Sequence, residues 1–185
     1  MSKFALIPTN LPEVKCIVPT VFEDDRGFFT ESYNEREFAE IGIADRFIQD
    51  NHSHSKKGVL RGLHFQLPPH PTSKLVRCVA GEIFDVVVDL RPSSPTFRKW
   101  EGFTLSSNNN HMLYIPVGFG HGFHVLSEAA EVTYKVNEYF HKEQDAGVRW
   151  NDPDIAVMWG VADPILSGKD SNLPFLRDIK EKLIW

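Results

Sequence analysis

Gly58-Val59-Leu60-Arg61-Gly62-Leu63-His64-Phe65 is the stretch on which the reading of this chain turns. Val59–Phe65 has the apolar content of a strand, opens on a glycine and carries one histidine in apolar surroundings. Outward from it the same kind of run recurs in both directions. Cys16–Glu23, Phe28–Asn34 and Phe47–Asp50 read as strands before it. Leu75–Val79, Glu82–Leu90, Trp100–Leu105, Met112–Ile115, Gly122–Leu126 and Glu131–Phe140 read as strands after it. They are rich in Val, Ile, Phe and Tyr and stand between Gly, Pro, Asn or Ser clusters. Ala80-Gly81 is a candidate hairpin turn, and Asn108-Asn109-Asn110 is a loop. Helices are few: Asn34 is placed to cap one over Glu35–Ile41 that stops at Gly42, and Leu176–Leu183 is a candidate for another. Many short strands at even spacing, almost without intervening helix, predict an all-β sandwich or jelly roll.

No internal repeat, low-complexity tract or linker divides the 185 residues, so one domain over 1–185 is expected. A hydrophobic fraction of 42% supplies a sizeable core, and 24% charged residues exclude a disordered or fibrous chain. The formal charge of −5 and a pI near 5.9 argue against nucleic-acid and membrane-surface partners, whose binders are as a rule basic. Two cysteines, Cys16 and Cys78, are too few for a disulfide scaffold and point to a reducing cytoplasm. Met1–Thr20 lacks the apolar core of a signal peptide, and no run approaches the roughly 20 apolar residues that span a bilayer.

Histidines are unevenly spread. His52, His54, His64 and His70 crowd one region, and His121 and His124 lie beside a Pro-Val-Gly turn. Such clusters suit a metal site or acid–base catalysis. For His52, His54 and His70 the simpler reading is a solvated loop. His64, inside an apolar strand, is either a satisfied core residue or one that faces an enclosed site.

Gly58 to His64 resembles the opening of the cupin signature, and Pro116-Val117-Gly118-Phe119-Gly120-His121 resembles its second half. Metal-binding cupins usually carry another histidine two residues after the first, then a glutamate; here Gln66 and Lys74 stand at those places. Only His64 and His121 remain of four ligands, and an ammonium beside a metal would repel it, so no metal is expected. Lys74 is suited instead to stabilising negative charge on a substrate oxygen, as in an enolate. His64 is then the candidate base, since an imidazole ordinarily titrates near about 6.5. Tyr134, in Val132-Thr133-Tyr134-Lys135, is the candidate acid, because a phenol is protonated at neutral pH yet can donate. Taken alone, Tyr134 reads as a core aromatic.

The local motifs are closer to one family. Asp25-Arg26-Gly27-Phe28-Phe29-Thr30-Glu31, Gln49-Asp50-Asn51-His52-Ser53, Lys74-Leu75-Val76-Arg77 and Asp85-Val86-Val87-Val88-Asp89-Leu90-Arg91 resemble the dTDP-4-dehydrorhamnose 3,5-epimerases. So do Gly58–Gln66, Ser94-Pro95-Thr96-Phe97, Ile115–Phe123, Tyr134-Lys135, Trp150-Asn151-Asp152-Pro153 and Leu166-Ser167-Gly168-Lys169-Asp170, which extend the likeness in order over nearly the whole chain. The resemblance implies a cupin jelly-roll homodimer that acts without metal or organic cofactor. It implies inversion of C3 and C5 of dTDP-4-dehydro-6-deoxy-D-glucose on the way to dTDP-L-rhamnose. By position, His64 matches the family's base, Asp170 the carboxylate paired with it, Tyr134 the acid, and Lys74 the group near the C4 oxygen. Arg61 and His121 match residues lining the sugar site. Arg26, Phe29 and Glu31 match residues that reach the nucleotide across the dimer interface, and Gln49, Asn51 and Tyr139 match further nucleotide contacts. Arginine forks onto diphosphate oxygens and aromatics stack on bases. Lys169 is in reach of phosphate, although a solvent-facing lysine is the simpler reading, and Arg26 and Glu31 taken alone read as an exposed strand-end pair.

Three departures from the family stand out: Thr72 in place of a glutamine, Gly120 in place of an alanine, and Gly160 in place of a proline. Arg61 and His64 also lie three apart, which on a regular strand puts them on opposite faces, so Gly62 is expected to mark a bulge or a strand end. Rival readings are a related epimerase that inverts one carbon only, a metal-dependent cupin, and a silent sugar-nucleotide binding module.

Overall fold

A computed structural model describes residues 3–185. In chain order the elements are β1 (Phe4–Ile7), β2 (Lys15–Pro19), β3 (Val21–Asp24), β4 (Gly27–Thr30), α1 (Glu35–Glu40), β5 (Gln49–Lys56), β6 (Leu60–Gln66), β7 (Lys74–Ala80), β8 (Glu82–Asp89), β9 (Trp100–Ser106), β10 (Met112–Ile115), β11 (Phe119–Val125), β12 (Ala129–Val136), β13 (Asp145–Gly147), α2 (Gly168–Ser171) and α3 (Leu176–Ile179). Two antiparallel sheets face each other, one ordered β1-β2-β10-β7-β12-β5 and the other β13-β6-β11-β8-β9. From β5 onward the chain passes repeatedly between them, the jelly-roll pattern expected from the sequence.

Much of each sheet is covered on both sides, which explains why several strands read as unbroken apolar runs, whereas the outer face of β5 stays exposed. On β8, Ile83 and Val87 point into the space between the sheets, where they meet Val76, Leu113 and Phe123. Val86 and Val88 point outward and are covered by the C-terminal segment through Val148, Trp159, Leu176 and Leu183. Burying each such side chain contributes about 1.5–3 kcal/mol. The outer face of the six-stranded sheet is covered by α1, whose Phe38 packs with Phe4, Ile17, Leu75 and Met112. Asn34 caps that helix, its Oδ1 accepting from the Glu37 N–H at 3.3 Å. Among the described residues no helix is long and apolar enough to cross a membrane.

Several expectations are corrected. Cys16–Glu23 is two strands, since β2 ends at Pro19 and β3 leaves the large sheet to pair with β4 as a separate hairpin. Ala80-Gly81 is not a hairpin turn, because β7 and β8 lie in different sheets. It is a corner between layers, and Gly81, at φ +76°, is the residue that fits there, since a Cβ would meet Ala129 O at 2.1 Å. The strand expected at Phe47–Asp50 runs on to Lys56, so His52 and His54 lie on β5, pointing outward, and not in a loop. β1, β13 and α2 were not foreseen, and the helix over Leu176–Leu183 is a four-residue turn followed by a 3-10 turn at Lys180–Lys182.

Candidate active site

The register between β6 and β11 builds the site. His64 lies opposite His121, and Arg61 lies opposite Phe123, so three steps on β6 match two on β11. This bulge resolves the spacing problem: Arg61 and His64 both align with partners that face the barrel interior. Gly62 at its centre has φ +130°, and a Cβ there would meet Gly122 Cα at 2.5 Å and His121 O at 2.9 Å. The two strands approach too closely for any side chain at that point.

His64 Nε2 lies 2.6 Å from Oδ1 of Asp170. Asp170 comes from the far end of the chain and is fixed by its own surroundings: Ser167 Oγ donates to its Oδ2 at 2.6 Å, and the Gly62 N–H approaches its Oδ1 at 3.3 Å. Burial opposes ionisation of Asp170, but the hydrogen bonds from His64, Ser167 and Gly62 outweigh it and hold the carboxyl below its usual range. An ionised partner on Nε2 fixes the imidazole with its proton there, which leaves Nδ1 with a lone pair to offer.

Lys74 extends from β7 into the barrel, on the face shared with Val76 and Cys78, and its Nζ donates to His64 O at 3.3 Å. Burial pushes its ammonium down from 10.5 to about 8, with Asp85 opposing the shift. Tyr134 stands on β12, and burial raises its phenol above the usual value while Arg61 pulls it the other way. His64 therefore comes from one sheet and Tyr134 and Lys74 from the other, and all three line one cavity of ≈ 290 Å³. That volume is at the small end for ligand sites and suits a sugar ring.

The remaining expected residues fall into three groups. Gln49, Asn51, Tyr139 and Lys169 line the same cavity. Lys169 is not a free surface lysine: its Nζ lies 2.6 Å from Oδ2 of Asp145, another cavity residue. Arg61 and His121 stand just off the wall. Arg61 Nε donates to Ser55 Oγ at 3.0 Å, while His121 is buried with Nε2 2.8 Å from Oδ2 of Asp85, and burial draws its imidazole below the usual range. Arg26, Phe29 and Glu31 are apart from the cavity, on or beside the β3–β4 hairpin. Arg26 pairs with Asp24 and Glu31 with Lys3, while Phe22, Phe28 and Phe29 are 52%, 57% and 65% exposed.

Gln66 is the residue whose role the sequence did not disclose. Its Nε2 approaches Thr72 Oγ1 at 2.6 Å, His70 O at 3.0 Å and Tyr139 O at 3.1 Å, and its Oε1 accepts from the His141 N–H at 2.7 Å. It fastens two cavity-flanking segments together, and Thr72, the departure from the family nearest the site, is one of its partners. Glu138, Phe140 and Asp145 also line the cavity and were not foreseen. As a set of metal donors His64, His121, Gln66 and Lys74 do not fit, because an amide engaged with the backbone and a buried ammonium stand where two of the ligands would be.

The family model described as dTDP-4-dehydrorhamnose 3,5-epimerase matches residues 8–178. A dTDP-4-dehydrorhamnose 3,5-epimerase of Shigella flexneri is 54% identical over 168 residues, covering 90% of this chain and 93% of the relative. That of Escherichia coli K12 is 50% identical over 97% of this chain and 98% of its own. The crystal structure of the Legionella pneumophila dTDP-6-deoxy-D-glucose-3,5-epimerase in complex with dTDP-4-keto-L-rhamnose superposes with a TM-score of 0.93 at 44% identity, covering 97% and 96% of the two chains. Fold, length and sequence agree from end to end of the match, and the chain belongs to the dTDP-4-dehydrorhamnose 3,5-epimerase family.

Proposed function

We propose that this protein inverts C3 and C5 of dTDP-4-dehydro-6-deoxy-D-glucose by proton transfer, with no metal or organic cofactor, on the way to dTDP-L-rhamnose. The observation that carries the reading is the placement of His64 and Tyr134 on opposite sheets around one cavity, with Lys74 beside them. The names of the relatives support the substrate.

In this reading Nδ1 of His64 takes the proton from the carbon next to the C4 carbonyl, and Asp170 stabilises the imidazolium that forms. The electron pair of the broken C–H bond moves into an enolate, whose charge settles on the C4 oxygen near the Lys74 ammonium. Tyr134 returns a proton to the opposite face, which inverts the centre. The phenolate and imidazolium then exchange with solvent, so no redox change occurs. C3 and C5 flank the same carbonyl, and one enolate device serves both.

Gln49, Asn51, Tyr139 and Lys169 are assigned to the nucleotide end of the ligand, and Arg61 and His121 to holding the sugar end in register. Arg26, Phe29 and Glu31 are assigned to the twin subunit's site in a homodimer, a role supported by the apolar hairpin that one chain leaves uncovered. The whole of 1–185 then acts as one catalytic barrel, and two free, buried cysteines favour a cytoplasmic setting.

Turnover of the dTDP-4-keto sugar in heavy water, followed by proton NMR, tests the reading. Deuterium at both C3 and C5 with both centres inverted is expected. Inversion at one centre alone would move the protein to the single-centre epimerases, and no exchange at either would sink the mechanism.

A further inference from the structure

Apart from the groups assigned to proton transfer, one cluster of ligand-bearing side chains stands at the rim of the cavity. His70, Glu138 and His141 bring their ring nitrogens and carboxylate oxygens within 4.8 Å of one another, and all three are half-buried. His70 Nδ1 lies 3.5 Å from Oε2 of Glu138, and His141 Nε2 lies 3.8 Å from Oε1. The two imidazoles are stacked, with centroids 3.6 Å apart and planes at 6°. Those nitrogen–oxygen separations are long for hydrogen bonds. The shorter matches the spacing of about 3.3–3.6 Å between neighbouring ligands of a tetrahedral ion with bonds of about 2.0–2.2 Å, and the longer, to the other carboxylate oxygen, lies just beyond it.

The backbone beneath the cluster is fixed. Gln66, 8% exposed, approaches the carbonyl of His70 at 3.0 Å and accepts from the N–H of His141 at 2.7 Å, so the two histidine-bearing segments are held at a set distance. The Tyr139 N–H donates to Glu138 Oε1 at 2.7 Å and orients the carboxylate. A pair of imidazoles on separate, mutually braced segments, with an oriented carboxylate between them, is a chelating set whose backbone is already in place and whose rings have only to turn.

We propose that His70, Glu138 and His141 bind a divalent cation of the zinc class at the rim of the cavity. Two imidazoles and one carboxylate select zinc over calcium or magnesium, which take oxygen ligands. Binding turns the rings out of their parallel stack about χ2, a soft torsion for an imidazole, so that each lone pair meets the ion. Three protein ligands leave a fourth position for water or an anionic oxygen. Glu138 and Tyr139 both line the cavity, so the ion braces its rim while His64, Tyr134 and Lys74 keep their own partners. The site stands on its own geometry and does not depend on the catalytic reading.

Calorimetric titration of the full-length, tag-free protein with zinc chloride, in the absence of sugar nucleotide, tests this. One zinc per chain is expected, with no binding of magnesium. His70→Ala and His141→Ala should each weaken zinc by at least about 10–100-fold, the range lost when only an outer-shell partner of a ligand is removed. His52→Ala should bind as the unmodified protein does, although His52 also has a carboxylate neighbour, Glu131, at 3.0 Å. X-ray absorption of the zinc-loaded protein should show two imidazoles and oxygen, and circular dichroism should show all variants folded. Glu138→Gln provides a third variant should a histidine substitution disturb the fold. No saturable zinc binding, equal binding of magnesium, or binding unchanged in the folded variants would overturn the site.

Discussion

His64 and His121 face each other across the β6–β11 pair, and each leans through Nε2 on a different buried carboxylate, Asp170 at 2.6 Å and Asp85 at 2.8 Å. The two pairs differ in access. His64 reaches the cavity, whereas His121 is enclosed with Asp85, whose Oδ1 has no hydrogen-bond partner among the described residues. In the proposed mechanism the same arrangement of imidazole and carboxylate serves proton transfer on one strand, and on the next its carboxylate, Asp85, favours the charged form of Lys74.

Replacing Asp170 with Asn keeps the shape but removes the charge that sets the His64 tautomer. A fall in kcat of about 10²–10⁴ is expected, the span of one acid–base group, with KM little changed. Steady-state kinetics checks it, and an effect confined to KM would contradict the assignment. Stability should respond as well. A carboxyl held below its usual range stabilises the fold above the pKa it has when unfolded, and that contribution is lost as pH falls through the folded value. Urea midpoints should therefore show a smaller acid-side loss for D170N than for the unmodified protein.

Lys74 separates activity from stability on the alkaline side. Its ammonium titrates at about 8 in the fold against 10.5 ordinarily, so between those values the unfolded chain binds a proton that the folded chain has released. Its contribution to stability therefore rises with pH through that window. Enolate stabilisation needs the charged form, so kcat/KM should fall above about pH 8. Opposite trends in pH-dependent melting and kcat/KM are the expected outcome, and a flat rate profile to high pH would remove Lys74 from the chemistry.

Gly62→Ala places a methyl 2.5 Å from Gly122 Cα at φ +130°. A loss of about 3 kcal/mol or more is expected, from overpacking against backbone together with strain. Activity should fall beyond what lost stability explains, because the bulge is what turns Arg61 and His64 to the same side. Thermal melting with parallel kinetics below the melting transition measures both.

A shared site predicts complementation. His64→Ala and Arg26→Ala homodimers should each be impaired, but a mixed dimer contains one site with an intact His64 core and an intact Arg26 hairpin. Co-expressed chains should recover activity, while Phe29→Asp should shift sedimentation toward monomer. Absence of recovery in a verified mixed dimer would place Arg26 outside the site.

Much of this was legible because the chemistry sits in short local motifs. Gly58–His64 and Val132–Lys135 are contiguous in sequence; alternation turns Tyr134 inward beside the core, and the bulge at Gly62 brings Arg61 to the side of His64. Asp170 was reachable only through family likeness, since nothing at that position signals that it folds back onto His64. The Ala80-Gly81 corner was misread because a glycine at positive φ serves a hairpin and a change of layer equally well. Gln66 was noticed as a lost ligand and not as a fastening. Apart from Thr72, its partners are backbone groups of His70, Tyr139 and His141, and main-chain groups carry no residue identity.

That fastening bears on the routes open to the protein by mutation. A histidine at 66 offers one N–H where Gln66 offers two, and its ring places donor and acceptor differently from the amide, so it would loosen the flanking segments before it offered a cation anything. A single substitution at Gln66 toward a metal ligand therefore loosens the very wall that the ligand would need.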